Sequence, residues 1–571
     1  MTGEDADKLT RAAGGLHVSV LPAAYNPGMN TFRLVLLCLP GLLSACAGDD
    51  PLSLTGAVCA PGADPLVFEG DVAAADARQY RLQPFSVVAG TGRVEVAYGW
   101  AEAPGLPATP LTSTTLDLGL WDADGVGTPA GFRGWGGSRQ GRLDRDQPPV
   151  FVEAGVADRG FQPGVIEPGE WNAELGIAAV SPQGARWRLE IACTEARGPV
   201  ATAADPVDRG HVARHAPGWY HGDFHMHAFH SQPNGPDDSD FIAQGRAAGL
   251  DFLMVTEYVT GRHWETLGMT QRLNPDLLIW PGREIITYHG HVNTHGETPS
   301  VLEYRHGAPG VDIGDIQRQA KADGALFQVN HPTTFPGPVF QNFCRGCAFE
   351  LGDAIDWAQV DTLEVLNGPI LNAARDFGLP LSGQIEQPFT TTAIWLWEAQ
   401  LRAGHRITAV SGSDSKGVDA PEDRVRKGYG SSATAVFANE LSRPALRQAI
   451  QAGHAYIRTR GVAGSPEVLF EGETSDGQTA IYGDTLALGE GVTATLRTTV
   501  TGGAGQVLTY FRNGAPVAAV PVFTDPFVHQ RAATRGLLAE GPLGTIWRIE
   551  LRDLQSRTII GNPIFLQGSS P

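Results

Sequence analysis

The run His221-Gly222-Asp223-Phe224-His225-Met226-His227 decides how this chain is read. On a β-strand, side chains two residues apart leave on the same side, so His225 and His227 can offer their imidazoles to one cation. An HxH pair alone is common. Here it opens a series: Thr256-Glu257-Tyr258, Gly282-Arg283-Glu284, Gly290-His291-Val292-Asn293, Asn330-His331-Pro332 and Ser413-Asp414-Ser415-Lys416. Each member follows or closes an apolar stretch, at intervals suited to successive strands. Polar residues just past the strands of an α/β barrel lie on the face where such folds build their sites.

Around the series, residues 210–460 alternate amphipathic helices with apolar strands. Asp240–Ala248 precedes Asp251–Val255, Ile313–Ala322 precedes Ala325–Val329, and Thr391–Ala403 precedes Ile407–Val410; Pro444–Ala452 is a further short helix. Repeated helix-to-strand alternation predicts a parallel sheet or an α/β barrel. The flanks differ. In 50–196, Tyr80–Leu82, Arg93–Tyr98, Thr115–Leu120 and Trp187–Ile191 alternate between Gly, Pro and Asp, the pattern of a β-sandwich. Gly131–Ser138 reads as a glycine-dense loop whose Trp135 either packs or meets ligand at a domain interface. Residues 197–209, rich in Pro, Ala and Asp, read as a linker. Residues 466–571, with the alternating Val492–Val500 and Trp547–Arg552, read as a second sandwich.

Bulk properties narrow the function. Hydrophobic residues are 42% and charged residues 18% of 571, which places the chain among globular proteins of several domains. A formal net charge of −20, without a basic stripe, argues against nucleic acid as a partner. Residues 1–28 read as an extension ahead of a start at Met29. Arg33, the apolar run Leu34–Leu43 and the box Leu43-Ser44-Ala45-Cys46 then resemble a bacterial lipoprotein signal (29–46). That resemblance implies acylation of Cys46, a lipid membrane as partner, and a periplasmic or cell-surface location, with the outer membrane expected. An oxidising compartment suits the remaining cysteines: Cys59 and Cys193 bracket the N-terminal region, and Cys344-Arg345-Gly346-Cys347 reads as a tight bridge.

The order of the motifs resembles the PHP metallohydrolase superfamily, and in particular its CehA/McbA-like branch, over about 250 residues. Leu118-Gly119-Leu120, Arg133-Gly134-Trp135 and Asn562-Pro563-Ile564 are similar to segments flanking the barrel in exported members. The resemblance implies a distorted (β/α) PHP-type barrel between two β-sandwiches, holding one or two divalent transition-metal ions (zinc, manganese or iron). It implies His225 and His227 as the opening pair, Glu284 as a bridging ligand, and His291, His331 and Asp414 as the remaining ligands. The cation would lower the pKa of a water and polarise the substrate.

Two positions depart from the family pattern: Tyr258 and Lys416 stand where histidines are expected. Their joint change predicts that a third metal position is replaced by the Lys416 ammonium, with Tyr258 as a hydrogen-bond donor or acid and Glu257 beside them; a Lys416–Glu257 ion pair in a cleft without chemistry is the alternative. Arg262, Arg283 and His230 are candidate contacts to an anionic small-molecule substrate, with Arg424 and Arg426 as further possibilities, and His230 and Asp238 are also candidates for additional metal ligands. Asp223 is placed to orient a ligating imidazole. His289 and His295 read as neighbours of the ligands, and His211, His215, His221 and His263 as loop or surface residues. Trp395 and Trp397 read as packing residues. The expected activity is hydrolysis of a phosphomonoester or phosphodiester. The alternatives are hydrolysis of a carboxylic ester, amide or carbamate, and a non-catalytic module that binds carbohydrate or protein.

Overall fold

The structure is a computed structural model that describes residues 56–138, 148–197, 203–228, 237–298, 303–368, 371–372, 384–417, 428–535 and 541–568. Segment 29–46 with Cys46, as well as His230, Arg424 and Arg426, lie outside the described residues, as does the side chain of Asp238.

The N-terminal region forms two antiparallel-rich sheets. One orders Val58–Cys59, Gln79–Val87, Gly169–Ala179, Thr115–Trp121 and Phe132–Gly137; the other orders Leu66–Val72, Ala185–Thr194, Arg93–Glu102 and Val150–Glu153. Val94, Val96, Leu189 and Ile191 of the second meet Leu116, Leu118, Trp171 and Leu175 of the first in one core. The alternation read from the sequence is what supplies that shared apolar face. Cys59 and Cys193 are bonded, with Cα atoms 5.5 Å apart. Gly131–Ser138 is a correction. Most of it is strand, Phe132–Gly137, paired with Thr115–Trp121. Gly134, at φ +131°, lets Phe161 approach so closely that a Cβ would collide with it.

In the central region seven strands run side by side in the order Thr408–Gly412, Thr362–Asn367, Leu326–Val329, Gly290–His295, Leu278–Thr287, Phe252–Tyr258 and Gly218–Met226. A parallel bridge between Met226 and Ser415 brings the two ends of this run together, so the sheet curls back on itself. The helices Asp238–Ala247, Ile313–Ala322, Thr390–Ala403 and Arg443–Ala452 fall where the sequence places them. Asp312 caps Ile313–Ala322 by accepting from the Gly314 amide at 2.7 Å, and Ile313, Ile316 and Ala320 face the core against Phe327 and Leu363. The alternation is not regular, however. Leu278–Thr287 and Gly290–His295 form an antiparallel hairpin, so part of the sheet is mixed rather than parallel.

The expected break at 460–466 is not a break in the sheet. Gly218–Met226 pairs with Ala433–Ala438, which pairs with Ala455–Arg458, which pairs with the C-terminal strand Arg557–Gly561. The Asn562 side chain, inside the apolar core, donates to the carbonyls of Ala409 (3.0 Å) and Ala455 (2.9 Å) and accepts from the Ala409 amide (2.8 Å). A second C-terminal sheet, centred on Glu467–Thr474 and Ala494–Thr501, packs Val468, Phe470 and Leu496 against Leu508, Trp547 and Ile549.

The N-terminal sheet docks on the central region through buried polar groups. Glu174 accepts from Trp121 Nε1 (2.9 Å) and Tyr304 Oη (2.7 Å) and lies 3.4 Å from Arg305. Burial, opposed by Arg305, pushes its carboxyl up to about 7. Asp117 accepts from Tyr288 Oη (3.0 Å) and pairs with Arg345. Trp135 meets Tyr258 edge to face, 6.2 Å between centroids.

Candidate metal centre

The ends of the central strands bring the scattered motifs together. His225 and His227 sit at the end of Gly218–Met226, Glu284 within Leu278–Thr287, His291 within Gly290–His295, and His331 and Asp414 just beyond Leu326–Val329 and Thr408–Gly412. Main-chain bonds lock two of these ends: the Asp414 amide donates to the His225 carbonyl (2.8 Å), and the His227 amide to that of Ser415 (2.8 Å). His331 (φ 28°) and Asp414 (φ 47°) both adopt left-handed backbone, a conformation that costs roughly 1–3 kcal/mol for such residues and gathers at functional sites.

Glu284 is the hub. Its Oε2 lies 3.4 Å from His225 Nε2 and 3.3 Å from His227 Nε2, while its Oε1 lies 3.1 Å from His291 Nδ1 and 3.6 Å from His331 Nε2. Asp414 Oδ1 adds distances of 3.6 Å to His225 Nε2 and 3.1 Å to His227 Nε2. Two three-residue groups have ligand atoms all within 4.8 Å of one another: His225, Glu284 and His331, and His225, His227 and Asp414. His291 adjoins the first through Glu284.

The outer nitrogens of three imidazoles are also fixed. His225 Nδ1–H donates to Glu364 Oε2 (3.2 Å), His291 Nε2–H to the Arg345 carbonyl (2.7 Å) and His331 Nδ1–H to the Cys347 carbonyl (3.1 Å). In each case the other nitrogen faces Glu284. Ligating histidines are ordinarily oriented in this way. His225 Nε2 is buried without a hydrogen-bond partner, although three carboxylates surround the ring.

The electrostatics ask for positive charge. Burial opposes the imidazolium of His225, but Glu284, Glu364 and Asp414 outweigh it and push its pKa well up. Burial would raise Glu284, yet His225, His291 and His331 hold it well below the usual carboxylate range. Asp414 is likewise held down against burial by Lys416 and His225, while burial moves His227 below its ordinary value and favours the neutral, ligating form. Buried carboxylates gathered around imidazole nitrogens, that of His225 without a hydrogen bond, fit a divalent cation.

A cavity of about 320 Å³ adjoins the cluster, lined by Glu284, His291, His331 and Asp414 and by Tyr258 and Lys416. Lys416 Nζ lies 3.3 Å from Asp414 Oδ1 and 5.7 Å from the Tyr258 ring centroid, with its side chain 47% exposed. Burial works against its charge, but Asp414 and Tyr258 more than restore it. Burial raises the Tyr258 phenol, so it stays protonated. The Cys344–Cys347 loop and Thr115, Ser138 and Ala179 of the N-terminal region also line it.

Several expected site residues lie elsewhere. Glu257 points away from Tyr258, as successive strand residues must, and accepts from the Ala228 amide at 3.1 Å; Lys416 pairs with Asp414 instead. Arg283 leaves the strand opposite to Glu284 and is buried near Trp264, where burial pulls its pKa down to about 10. Arg262 donates to the Ala157 carbonyl (3.2 Å) of the N-terminal region. Asp223 binds amides of His225 (3.1 Å), Ser413 (2.9 Å) and Gly430 (2.9 Å) rather than an imidazole, and Glu364 takes the orienting role instead. His263 is fully buried and within 2.7 Å of the Gly282 carbonyl, not on a loop surface. His289 sits near Arg78 and Glu350 (3.3 and 3.7 Å) away from the cluster, and His295 is 3.4 Å from Gln328, its pKa pushed down to about 3 by burial. Trp397 packs in the core, whereas Trp395 is exposed.

No family model matches the chain, and no curated protein matches it. Among solved structures the chain is similar to a two-domain protein containing a predicted PHP-like metal-dependent phosphoesterase from Bacteroides vulgatus ATCC 8482. The two are 16% identical; the match covers 64% of this chain and 100% of that chain, with a TM-score of 0.33.

Proposed function

We propose that this chain is a metal-dependent hydrolase of the PHP type, of the CehA/McbA-like branch, acting on a phosphomonoester or phosphodiester. The observation that carries the reading is the arrangement around Glu284, where three of the four surrounding imidazoles are tied at their outer nitrogens. His225, His227, Glu284, His331 and Asp414 would hold one or two cations, with His291 beside them. A bound divalent cation supplies Lewis acidity, which lowers the pKa of water and polarises a substrate oxygen.

The chain's own groups do the rest. Lys416, anchored by Asp414, presents a fixed positive charge to the cavity and binds an anionic oxygen of the substrate. Tyr258, kept as a phenol by burial, donates its proton or a hydrogen bond to the departing oxygen. The segment 29–46 supports export with a lipid anchor at Cys46, and the Cys59–Cys193 bridge suits an oxidising compartment.

The test is elemental analysis of the purified protein, followed by assays of aryl phosphomonoesters, phosphodiesters and carboxylic esters with and without a chelator. Chelator-sensitive release from a phosphoester supports the proposal. Turnover of carboxylic esters alone reassigns the substrate class, and protein that retains no transition metal overturns the proposal.

A further inference from the structure

The two histidines on the Oε1 side of Glu284 take their outer hydrogen bonds from one short loop. The carbonyls of Arg345 and Cys347 receive His291 Nε2–H (2.7 Å) and His331 Nδ1–H (3.1 Å). That loop is closed by the Cys344–Cys347 disulfide, and Gly346, at φ +70°, packs where a Cβ would collide with the Thr287 carbonyl. Asn342, just ahead of the loop, donates to the Ser113 and Val180 carbonyls (3.2 and 3.0 Å), Ala348, just after it, bridges to Thr333, and the loop's own side-chain tie is Arg345. The guanidinium pairs with Asp117, a fully buried carboxylate of the N-terminal sheet, lies 3.2 Å from Ser138 Oγ, and sits over Trp135 at 5.4 Å. Tyr288 fixes Asp117 in turn through its hydroxyl at 3.0 Å.

We propose that the disulfide-closed loop, tied to Asp117 through Arg345, is the positioning element for His291 and His331, so that the N-terminal region completes the metal centre. The inference rests on the reading that cations bind at this cluster. It assigns to Asp117, Arg345 and the Cys344–Cys347 bridge a role in metal affinity, although none of them touches the ion. An imidazole freed at its outer nitrogen swings about its Cβ–Cγ bond, and loss of such a partner weakens metal binding by roughly 10- to 100-fold.

The experiment uses the full chain and zinc alone, with affinity measured by competition against a chromophoric chelator and folding followed by thermal melting in excess chelator. R345M cuts the tie to Asp117 while keeping the loop carbonyl, and C344S/C347S opens the bridge. E174Q alters a different buried contact of the same docking surface and serves as the comparison. The expected result is zinc binding weakened about tenfold or more in R345M and in C344S/C347S, unchanged in E174Q, with every variant still melting cooperatively in excess chelator. Wild-type affinity in a folded R345M overturns the inference, and so does equal weakening in E174Q, which would mean that docking in general matters. If R345M does not fold, C344S/C347S decides in the same terms. A wild-type chain that binds no zinc overturns the metal centre itself, and this inference with it.

Discussion

The ring of Tyr258 lies almost face to face on that of His227, with centroids 4.0 Å apart and 29° between the planes. The stack fixes the ring of a candidate ligand while Tyr258 also lines the cavity, so ring and hydroxyl have separable tasks. Y258F keeps the stack and removes the donor. Metal content is expected to stay at the wild-type level while kcat falls by roughly 10²-fold. Equal turnover in Y258F and the wild type would remove Tyr258 from the chemistry.

Lys416 provides the second separation. K416M keeps much of the side chain's bulk and takes away the charge that faces both Asp414 and the cavity. Zinc stoichiometry is expected to hold, while phosphoester kcat/KM drops by about 10²–10³-fold and a neutral carboxylic ester is affected far less. Unchanged kinetics with unchanged stoichiometry would leave Lys416 a surface residue.

Glu364 is fully buried, bonds His225 Nδ1 and also accepts from the His331 amide at 3.1 Å. E364A therefore disturbs two candidate ligands without removing either. The expected outcome is metal affinity lowered roughly 10- to 100-fold, with E284A, which removes the hub, losing more. Zinc competition on both variants checks the ranking.

Glu174 makes a pH-dependent contribution to stability. Burial raises its folded value to about 7, above the ordinary 4.5, so between those values the folded state holds a proton that the unfolded chain has released. The resulting stabilisation is fully present below about pH 4.5 and is lost as pH rises through about 7. E174Q cannot ionise; its amide oxygen can keep the bond from Trp121, whose indole N–H only donates, while its NH2 donates to the Tyr304 hydroxyl, which can turn to accept. Measured against the wild type, E174Q should gain on the order of 3 kcal/mol in unfolding free energy between pH 4.5 and pH 8. Parallel pH profiles for the two proteins would contradict the shift.

Much of this arrangement could be read in the sequence, because local rules sufficed for it. Ile313–Ala322 carries its apolar residues at helical spacing behind a capping Asp312, and its ends are those read from the sequence. The candidate ligands His225, His227, His331 and Asp414 close apolar strands and Glu284 lies within one, so their convergence follows from strand order. The same period-two rule that pairs His225 with His227 separates Glu257 from Tyr258 and Arg283 from Glu284; nearness in sequence misplaced both. Glu364 was missed although it left a signal, a lone acid inside Thr362-Leu363-Glu364-Val365-Leu366. The tie between Asp117 and Arg345 spans 228 residues and two regions, and no local pattern announces it.

Strand Ala455–Arg458 hydrogen-bonds on one side to Ala433–Ala438 and on the other to Arg557–Gly561. A chain cut after residue 465 would leave that second side as a bare row of amides and carbonyls beside apolar Tyr456 and Ile457, a template for intermolecular pairing. It would also strip Asn562 from the strand that leads to Asp414. The last hundred residues thus act as a keystone: trimming them would yield aggregates rather than a smaller folded core.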